Sequence, residues 1–281
     1  MSLVDFMLNL AALLLWLNWR AIPFNPAVSP SSSGALLSTI RKAGPSNRTL
    51  VFLVGCGLVV VLRAILYWQI GSQLNWHPSI PLVLINPVFR SDYFGRILLF
   101  SVLSFVLTIA LFYHSLLFLS VVNHRLPDSD PIQHWIRQHL GWVEHLPVPV
   151  RLLVPFLVSM AGWCVLGPVL AAMHNYPSAG SLGHLLQQGV LLGTISYLAW
   201  KYLIIAILVL HLVNSYVYLG AMTFWTYLHH TSRAILWPIS WLPLQIGRLD
   251  FSPVVMMALV FLLSEVPNLE WVQRAVAPLL Y

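Results

Sequence analysis

The chain has 281 residues, of which 59% are hydrophobic and only 8% are charged, and its mean hydropathy is +0.81. A soluble globular protein carries about 25% charged residues, so this composition could not cover a water-exposed surface. It excludes a soluble enzyme, a nucleic-acid-binding domain and a disordered scaffold, and it indicates an integral membrane protein. The net charge of +6 comes from basic residues that fall mainly between the apolar runs.

Apolar runs, taken in chain order, predict the membrane-spanning helices. About 20 predominantly apolar residues are needed to cross the hydrocarbon core. The sequence therefore predicts an all-α integral membrane protein with about six transmembrane helices, at residues 3–19, 49–70, 96–122, 150–172, 196–219 and 251–267. The stretch 184–196 is also largely apolar, and it is either an extension of the fifth helix or a re-entrant segment.

The spacing of these runs indicates an internal repeat. Spans two, four and six begin near Leu50, Arg151 and Phe251, a period of about 100 residues. We predict three units of span, interfacial helix and span. Their bounds are 1–75 for the first helical pair, 96–172 for the second and 184–270 for the third.

The connection inside each unit is basic and partly amphipathic. In the second unit Ile132, Trp135, Ile136 and Leu140 share one helical face, which predicts a helix lying in the plane of the membrane interface with this apolar face toward the lipid. The polar residues expected on the opposite face are Gln133, His134, Arg137 and Gln138. The corresponding segments of the other units are 36–42 and 226–241.

Basic residues orient the chain across the membrane. Nine of the Lys and Arg residues lie in the connections inside the units and four lie on the other side, with Lys201 inside the fifth span. Because short cytoplasmic loops carry the excess of Lys and Arg, these connections are predicted to be cytoplasmic. Both termini are then outside.

The strongest local pattern is the segment 242–255. Asp250 suits a helix N-cap at the membrane boundary, and Pro253 falls in the first turn, where its missing N–H costs nothing. Gly247 permits the turn before the helix. A well-capped membrane helix explains this pattern without any chemistry.

The same segment resembles the YggT family of small bacterial and plastid membrane proteins, whose units end in a Gly-x-Leu-Asp-x-Ser-Pro helix start. The matching residues are Gly247, Leu249, Asp250, Ser252 and Pro253. The resemblance is close over 196–267, whereas 96–172 shares the architecture but lacks the motif. It implies repeated helical pairs and a location in the bacterial inner (plasma) membrane.

The function implied by this resemblance is broad. The family is linked to osmotic or ion homeostasis, to cell-division and envelope organisation, and in plastids to cytochrome complex assembly. We expect a non-enzymatic scaffold or assembly subunit of a membrane complex, with a channel or transporter component as the alternative. The expected partners are membrane lipids and other membrane proteins, or a second copy of the chain, and not nucleic acid.

Four charged residues fall inside the predicted spans, where ionisable groups indicate functional sites by default. They are expected near the outer interface: Asp5, Arg63, Lys201 and Glu265. They either pair with one another, with Lys201 and Glu265 favoured because both belong to the third unit, or each reaches water separately.

Histidines suggest the one cofactor hypothesis. His114 and His211 occupy near-equivalent repeat positions, and two imidazoles facing each other across helices could ligate a b-type haem. The alternative is a pair of hydrogen-bonded interior histidines. The sequence contains no metal-ligand spacing and no catalytic motif, so we expect neither a metal site nor catalytic residues.

Overall fold

The structure is a computed structural model that describes residues 3–21, 46–74, 77–80, 82, 85–127, 129–173, 176, 180–217, 222–246 and 249–280. Within these ranges the regular secondary structure is helical apart from short β pairings, one of which joins β1 (Gln245–Ile246) to β2 (Leu249–Asp250). This confirms the all-α prediction. The helices are α1 (Leu3–Ala21), α2 (Ser46–Leu74), α3 (Phe94–Val122), α4 (Pro131–Leu140), α5 (Val148–Ala172), α6 (Leu182–Ile195), α7 (Trp200–Tyr216), α8 (Thr223–Leu236), α9 (Ser252–Glu265) and α10 (Glu270–Leu280).

Five helical segments in the described ranges are long and apolar enough to cross a membrane, and a bent pair makes a sixth candidate. The five are α1, α2, α3, α5 and the segment Leu182–Tyr216. The chain therefore has the character of a multi-pass membrane protein. The last predicted run, 251–267, differs from expectation because α9 has 14 residues, about 21 Å of helix, and bends by 45° into α10.

The stretch before the fifth span continues directly into it. A 3-10 turn at Ser196–Ala199 joins α6 to α7, and Leu182–Tyr216 forms one helical segment of 35 residues. This agrees with the extension alternative rather than with a re-entrant segment. At 1.5 Å per residue the segment is about 52 Å long, well beyond a hydrocarbon core of about 30 Å.

The chain divides into two compact units, and α3 contributes to both. The first unit comprises residues 1–82 and 86–110, where α1 and α2 pack in opposite directions against the first part of α3. Its apolar core contains Ala12, Cys56, Val60 and Phe105. Small side chains at residues 12 and 56 allow the helices to approach closely.

The second unit comprises residues 83–85 and 111–281, and its described residues form two apolar clusters. One joins the end of α3 to α4 and α8 through Leu116, Ile136 and Tyr227. The other joins α3, α7 and α8 through residues that include Phe118 and Leu208. Helix α5 packs along α6, and α9 packs along α7.

The polar face of α4 differs from the predicted one. Ile136 and Leu140 are buried against protein and Trp135 is 41% exposed, but Gln133, which was placed on the opposite face, is fully buried. The assignment of Gln133 to the water-facing side was therefore wrong. The amide is buried because the Tyr227 hydroxyl donates to its Oε1 across 3.3 Å.

The internal repeat stays a prediction. Helices α4 and α8 stand where the second and third interfacial segments were expected. The first interfacial segment, 36–42, lies outside the described residues.

Candidate functional site

A buried polar cluster lies at the centre of the first unit, and we call it the Arg63 cluster. Its members come from α1, α2 and α3: Asp5, Asn9, Arg63, Tyr67, Ser101 and Ser104. Arg63 Nη1 donates to Asn9 Oδ1 at 2.7 Å, and its Nε donates to Ser101 Oγ at 2.9 Å. The guanidinium therefore joins α2 to both neighbouring helices.

Asp5 belongs to the same cluster. Its Oδ1 accepts from the Tyr67 hydroxyl at 2.7 Å, one helical turn from Arg63 on α2. Asp5 is 5% exposed and Arg63 is 2% exposed, so neither group reaches water alone. The structure thus brings the first two of the four predicted charges together, with neutral polar groups between them.

The other two charges have separate partners. Lys201 Nζ lies 3.4 Å from Ser264 Oγ and 5.1 Å from the centre of the Tyr202 ring. Glu265 accepts from the Asn268 side-chain amide at 2.6 Å. Within the described part of the chain, no ion pair closer than 4.0 Å joins Lys201 to Glu265.

The two candidate haem ligands lie at different levels. Trp200 Nε1 donates to the backbone carbonyl of His114, so the start of α7 is level with that histidine. His211 lies eleven residues further along α7, about 16 Å of helix. Its ring packs against His229 of α8 with 5.5 Å between centroids. These positions do not fit two axial ligands on one iron.

The segment that resembles the family motif forms a turn and a capped helix start. Asp250 Oδ1 accepts from the backbone N–H of Ser252 at 2.9 Å, and Phe251 between them already has helical backbone angles. Pro253 is in the first turn. Asp250 also pairs with Gln245 across the two short strands, whereas Gly247 lies outside the described residues.

Sequence analysis did not identify a second polar cluster, which we call the interfacial cluster. It gathers the end of α3, α4, the following 3-10 turn, the start of α5 and α8. Its members are Ser120, Asn123, Gln133, Arg137, Glu144, Arg151, Tyr227 and Thr231. Two networks make up this cluster, and both include residues of α4 and of the end of α3.

Charge holds the first network together. Glu144 Oε1 lies 2.6 Å from Arg151 Nη1 and 3.4 Å from Arg137 Nε. The Ser120 hydroxyl donates to Glu144 Oε2 and accepts from Arg151 Nη1 at 2.7 Å. The Arg137 Nη2 also donates to the Leu126 carbonyl at 3.0 Å. One carboxylate therefore fixes α4 and α5 relative to α3.

Neutral groups make up the second network. The Asn123 amide donates to Tyr227 Oη and to Thr231 Oγ1, both at 2.8 Å. Tyr227 in turn donates to Gln133 Oε1. Burial raises the pKa of Tyr227 to about 12, so the phenol stays protonated and remains a donor at neutral pH. The network ties α8 to α3 and α4.

Helical spacing contains a signal for this cluster. Gln133 and Arg137 are four residues apart on α4, and Tyr227 and Thr231 are four residues apart on α8. Residues at that spacing share a helix face. Two polar pairs of this kind indicate helices that face each other through a polar seam.

Comparison with known proteins identifies no relative. No protein-family model matches the chain, and no curated protein or solved structure is significantly similar to it.

Proposed function

We propose that the chain is a non-enzymatic scaffold or assembly subunit of a membrane protein complex. The main support for this proposal is the interfacial cluster, whose buried side chains hold α4 and α8 against the end of α3. A helix pair fixed in this way presents a rigid surface at the membrane boundary. Rigid interfacial surfaces suit assembly, because little conformational entropy is lost on binding.

Exposed tryptophans support the same proposal. Trp142, Trp237 and Trp241 are 74%, 76% and 78% exposed, and they follow α4 or α8 directly. Tryptophan is enriched both at membrane boundaries and at protein interfaces. The resemblance of 242–255 to the YggT motif also favours an organising role, in a bacterial inner membrane with both termini outside.

The test is purification of the tagged full chain from native membranes in mild detergent. A stoichiometric membrane protein, or a second copy of the chain, should co-purify. Asn123→Leu should reduce that association because it frees α8, while Arg233→Gln, an exposed change on the same helix, should not. If the chain purifies alone and instead conducts ions in liposomes, the channel alternative replaces the scaffold.

Orientation has its own test. In a chain lacking Cys56 and Cys164, single cysteines at the exposed Ser129 and Ser240 should react with an impermeant maleimide only from the cytoplasmic side. Reaction from outside in intact cells would reverse the proposed topology.

A further inference from the structure

Among the residues that the structure describes, two buried N–H donors in the interfacial cluster have no acceptor. One is Gln133 Nε2 on a fully buried side chain, and the other is Arg151 Nε on a residue that is 7% exposed. Buried donors are nearly always satisfied in proteins, by protein groups or by a bound molecule. These two donors therefore call for an acceptor that the described part of the chain does not provide.

Among the described residues, the carboxylates of Glu144 and Asp130 already have hydrogen-bond or ion-pair partners. Glu144 uses Oε1 for Arg137 and Arg151, and Oε2 accepts from the Ser120 hydroxyl. Asp130 Oδ1 accepts from the backbone N–H groups of Ile132 and Gln133, at the start of α4. The charged groups that contact one another in the cluster are therefore the guanidinium groups of Arg137 and Arg151 and the carboxylate of Glu144.

The position of the cluster indicates which kind of anion is available. It lies where the apolar helix α3 ends at Val122 and α5 begins at Val148. Helix ends are the level at which a bilayer carries its headgroups, and basic pockets there bind anionic lipid headgroups. The Arg137 side chain is 22% exposed and that of Glu144 is 13% exposed, so part of the charged network reaches the molecular surface while the two donors are buried.

We propose that the interfacial cluster binds a phosphate group, supplied by an anionic phospholipid or by free phosphate. Arg151 and Gln133 donate to the phosphate oxygens, and Arg137 contributes positive charge. Guanidinium groups suit this role because their charge-assisted hydrogen bonds to phosphate are strong. The proposal goes beyond the scaffold function and does not depend on it.

The experiment uses the purified full chain in a neutral detergent, after removal of bound lipid. Thermal stability is titrated with dihexanoylphosphatidylglycerol, with inorganic phosphate, and with potassium chloride at matched ionic strength. The phosphatidylglycerol should raise the melting temperature saturably, and potassium chloride should not. Arg151→Gln should weaken the apparent affinity about tenfold, as expected for the loss of a charge-assisted hydrogen bond.

The matched control is Arg233→Gln, which removes the same charge from an exposed site on α8 and should leave the affinity unchanged. Stabilisation by phosphatidylglycerol alone would identify a lipid site, and stabilisation by both ligands would identify a general phosphate site. The absence of any saturable shift, or equal weakening by Arg233→Gln and Arg151→Gln, would overturn the proposal.

Glu144→Gln tests the proposal in the opposite direction, because this change should increase the affinity for phosphate. It removes the carboxylate that competes with the ligand for Arg137 and Arg151, so it should tighten phosphate binding even while it lowers the melting temperature without ligand. A cluster that serves only as an internal ion-pair network would show the loss of stability and no gain in affinity. That result would count against a phosphate site.

Discussion

Gly193 of α6 lies directly against the backbone carbonyl of Phe156 of α5, so close that a Cβ at residue 193 would be 2.9 Å from that oxygen. No side chain can occupy this position without separating the two helices. Gly189, one turn earlier, is nearly as close to Met160, with 3.2 Å from a Cβ to Met160 Cγ and 3.3 Å to its carbonyl oxygen. Glycine thus sets the spacing of this antiparallel helix pair, as small residues do in membrane bundles.

Gly193→Ala is therefore expected to destabilise the α5–α6 pair, although alanine favours helix formation. Overpacking of this kind costs about 1–3 kcal/mol. Thermal unfolding in detergent should show a lower melting temperature for Gly193→Ala and a smaller decrease for Gly189→Ala. Gly162→Ala is the matched control, because nothing lies within 4 Å of its Cβ. Equal effects at residues 162 and 193 would contradict the close approach.

The Arg63 cluster predicts that lysine cannot replace arginine at residue 63. The guanidinium donates to Asn9 on α1 and Ser101 on α3 from separate nitrogens, whereas an ammonium group is a single point charge. Arg63→Lys should lose hydrogen bonds that are worth about 1.5–3 kcal/mol each when one partner is charged. The melting temperature should fall sharply, while Arg90→Lys, at a side chain that is 65% exposed, should leave it unchanged.

If Arg63→Lys and Arg90→Lys behave alike, the hydrogen bonds to Asn9 and Ser101 do not stabilise the first unit. A double change of Arg63→Lys with Asn9→Leu tests the coupling directly. Its effect should be smaller than the sum of the two single effects, because the residues share one interaction.

The helix start at Asp250 predicts different results for two substitutions. Asp250→Ala removes the acceptor for the Ser252 N–H and should cost about 0.5–2 kcal/mol. Asp250→Asn keeps an acceptor and should be much milder. Unfolding of both variants in detergent distinguishes a cap from a role of the charge itself. Equal losses for alanine and asparagine would favour the charge.

Apolar runs were sufficient to predict the long apolar helices, because each run carries its own length and composition. The spans 96–122 and 150–172 agree with α3 and α5 within two residues at each end. The predicted run 251–267 ends at the break after α9, next to Pro267, but helix α10 beyond it was not predicted. A proline within an apolar run leaves open whether the helix kinks or ends.

The candidate site was harder to predict because it depends on contacts between distant residues. Gln133 has an ordinary surface residue type, and only Tyr227, 94 residues away, explains its burial. His114 and His211 looked equivalent by repeat position, yet Trp200, which contacts the His114 carbonyl, precedes His211 by eleven residues, about 16 Å of helix. Spacing in the sequence shows which turn and face of a helix a residue occupies. It does not show which turn of the neighbouring helix lies at the same depth.

Lys201 and Glu265 provide a further comparison between sequence and structure. Their nearest polar partners are Ser264 and Asn268, so Lys201→Met and Glu265→Gln should have effects that add to within about 0.3–0.5 kcal/mol. A double-mutant cycle on melting temperature, in detergent and in nanodiscs, measures the coupling. A coupling clearly larger than this would support the ion pair that the sequence favoured.

Tyr227 predicts a specific dependence of stability on pH. Its pKa is about 12 in the folded protein because burial disfavours the phenolate, against an ordinary value of 10.0. Between these two values the folded state binds more protons than the unfolded state, so the free energy of unfolding falls as pH rises. The contribution is fully present below about pH 10, and about 2–3 kcal/mol is lost by pH 12.

Tyr227→Phe loses the hydrogen bonds of the phenol to Asn123 and Gln133, so it should be less stable than the natural chain at pH 8. Because phenylalanine does not ionise, the difference in stability between the two chains should narrow above pH 10. Unfolding from pH 8 to 11.5, with the exposed Tyr93→Phe as control, measures that narrowing. A difference between the natural chain and Tyr227→Phe that stays constant over this range would mean that the phenol is not buried within the interfacial cluster.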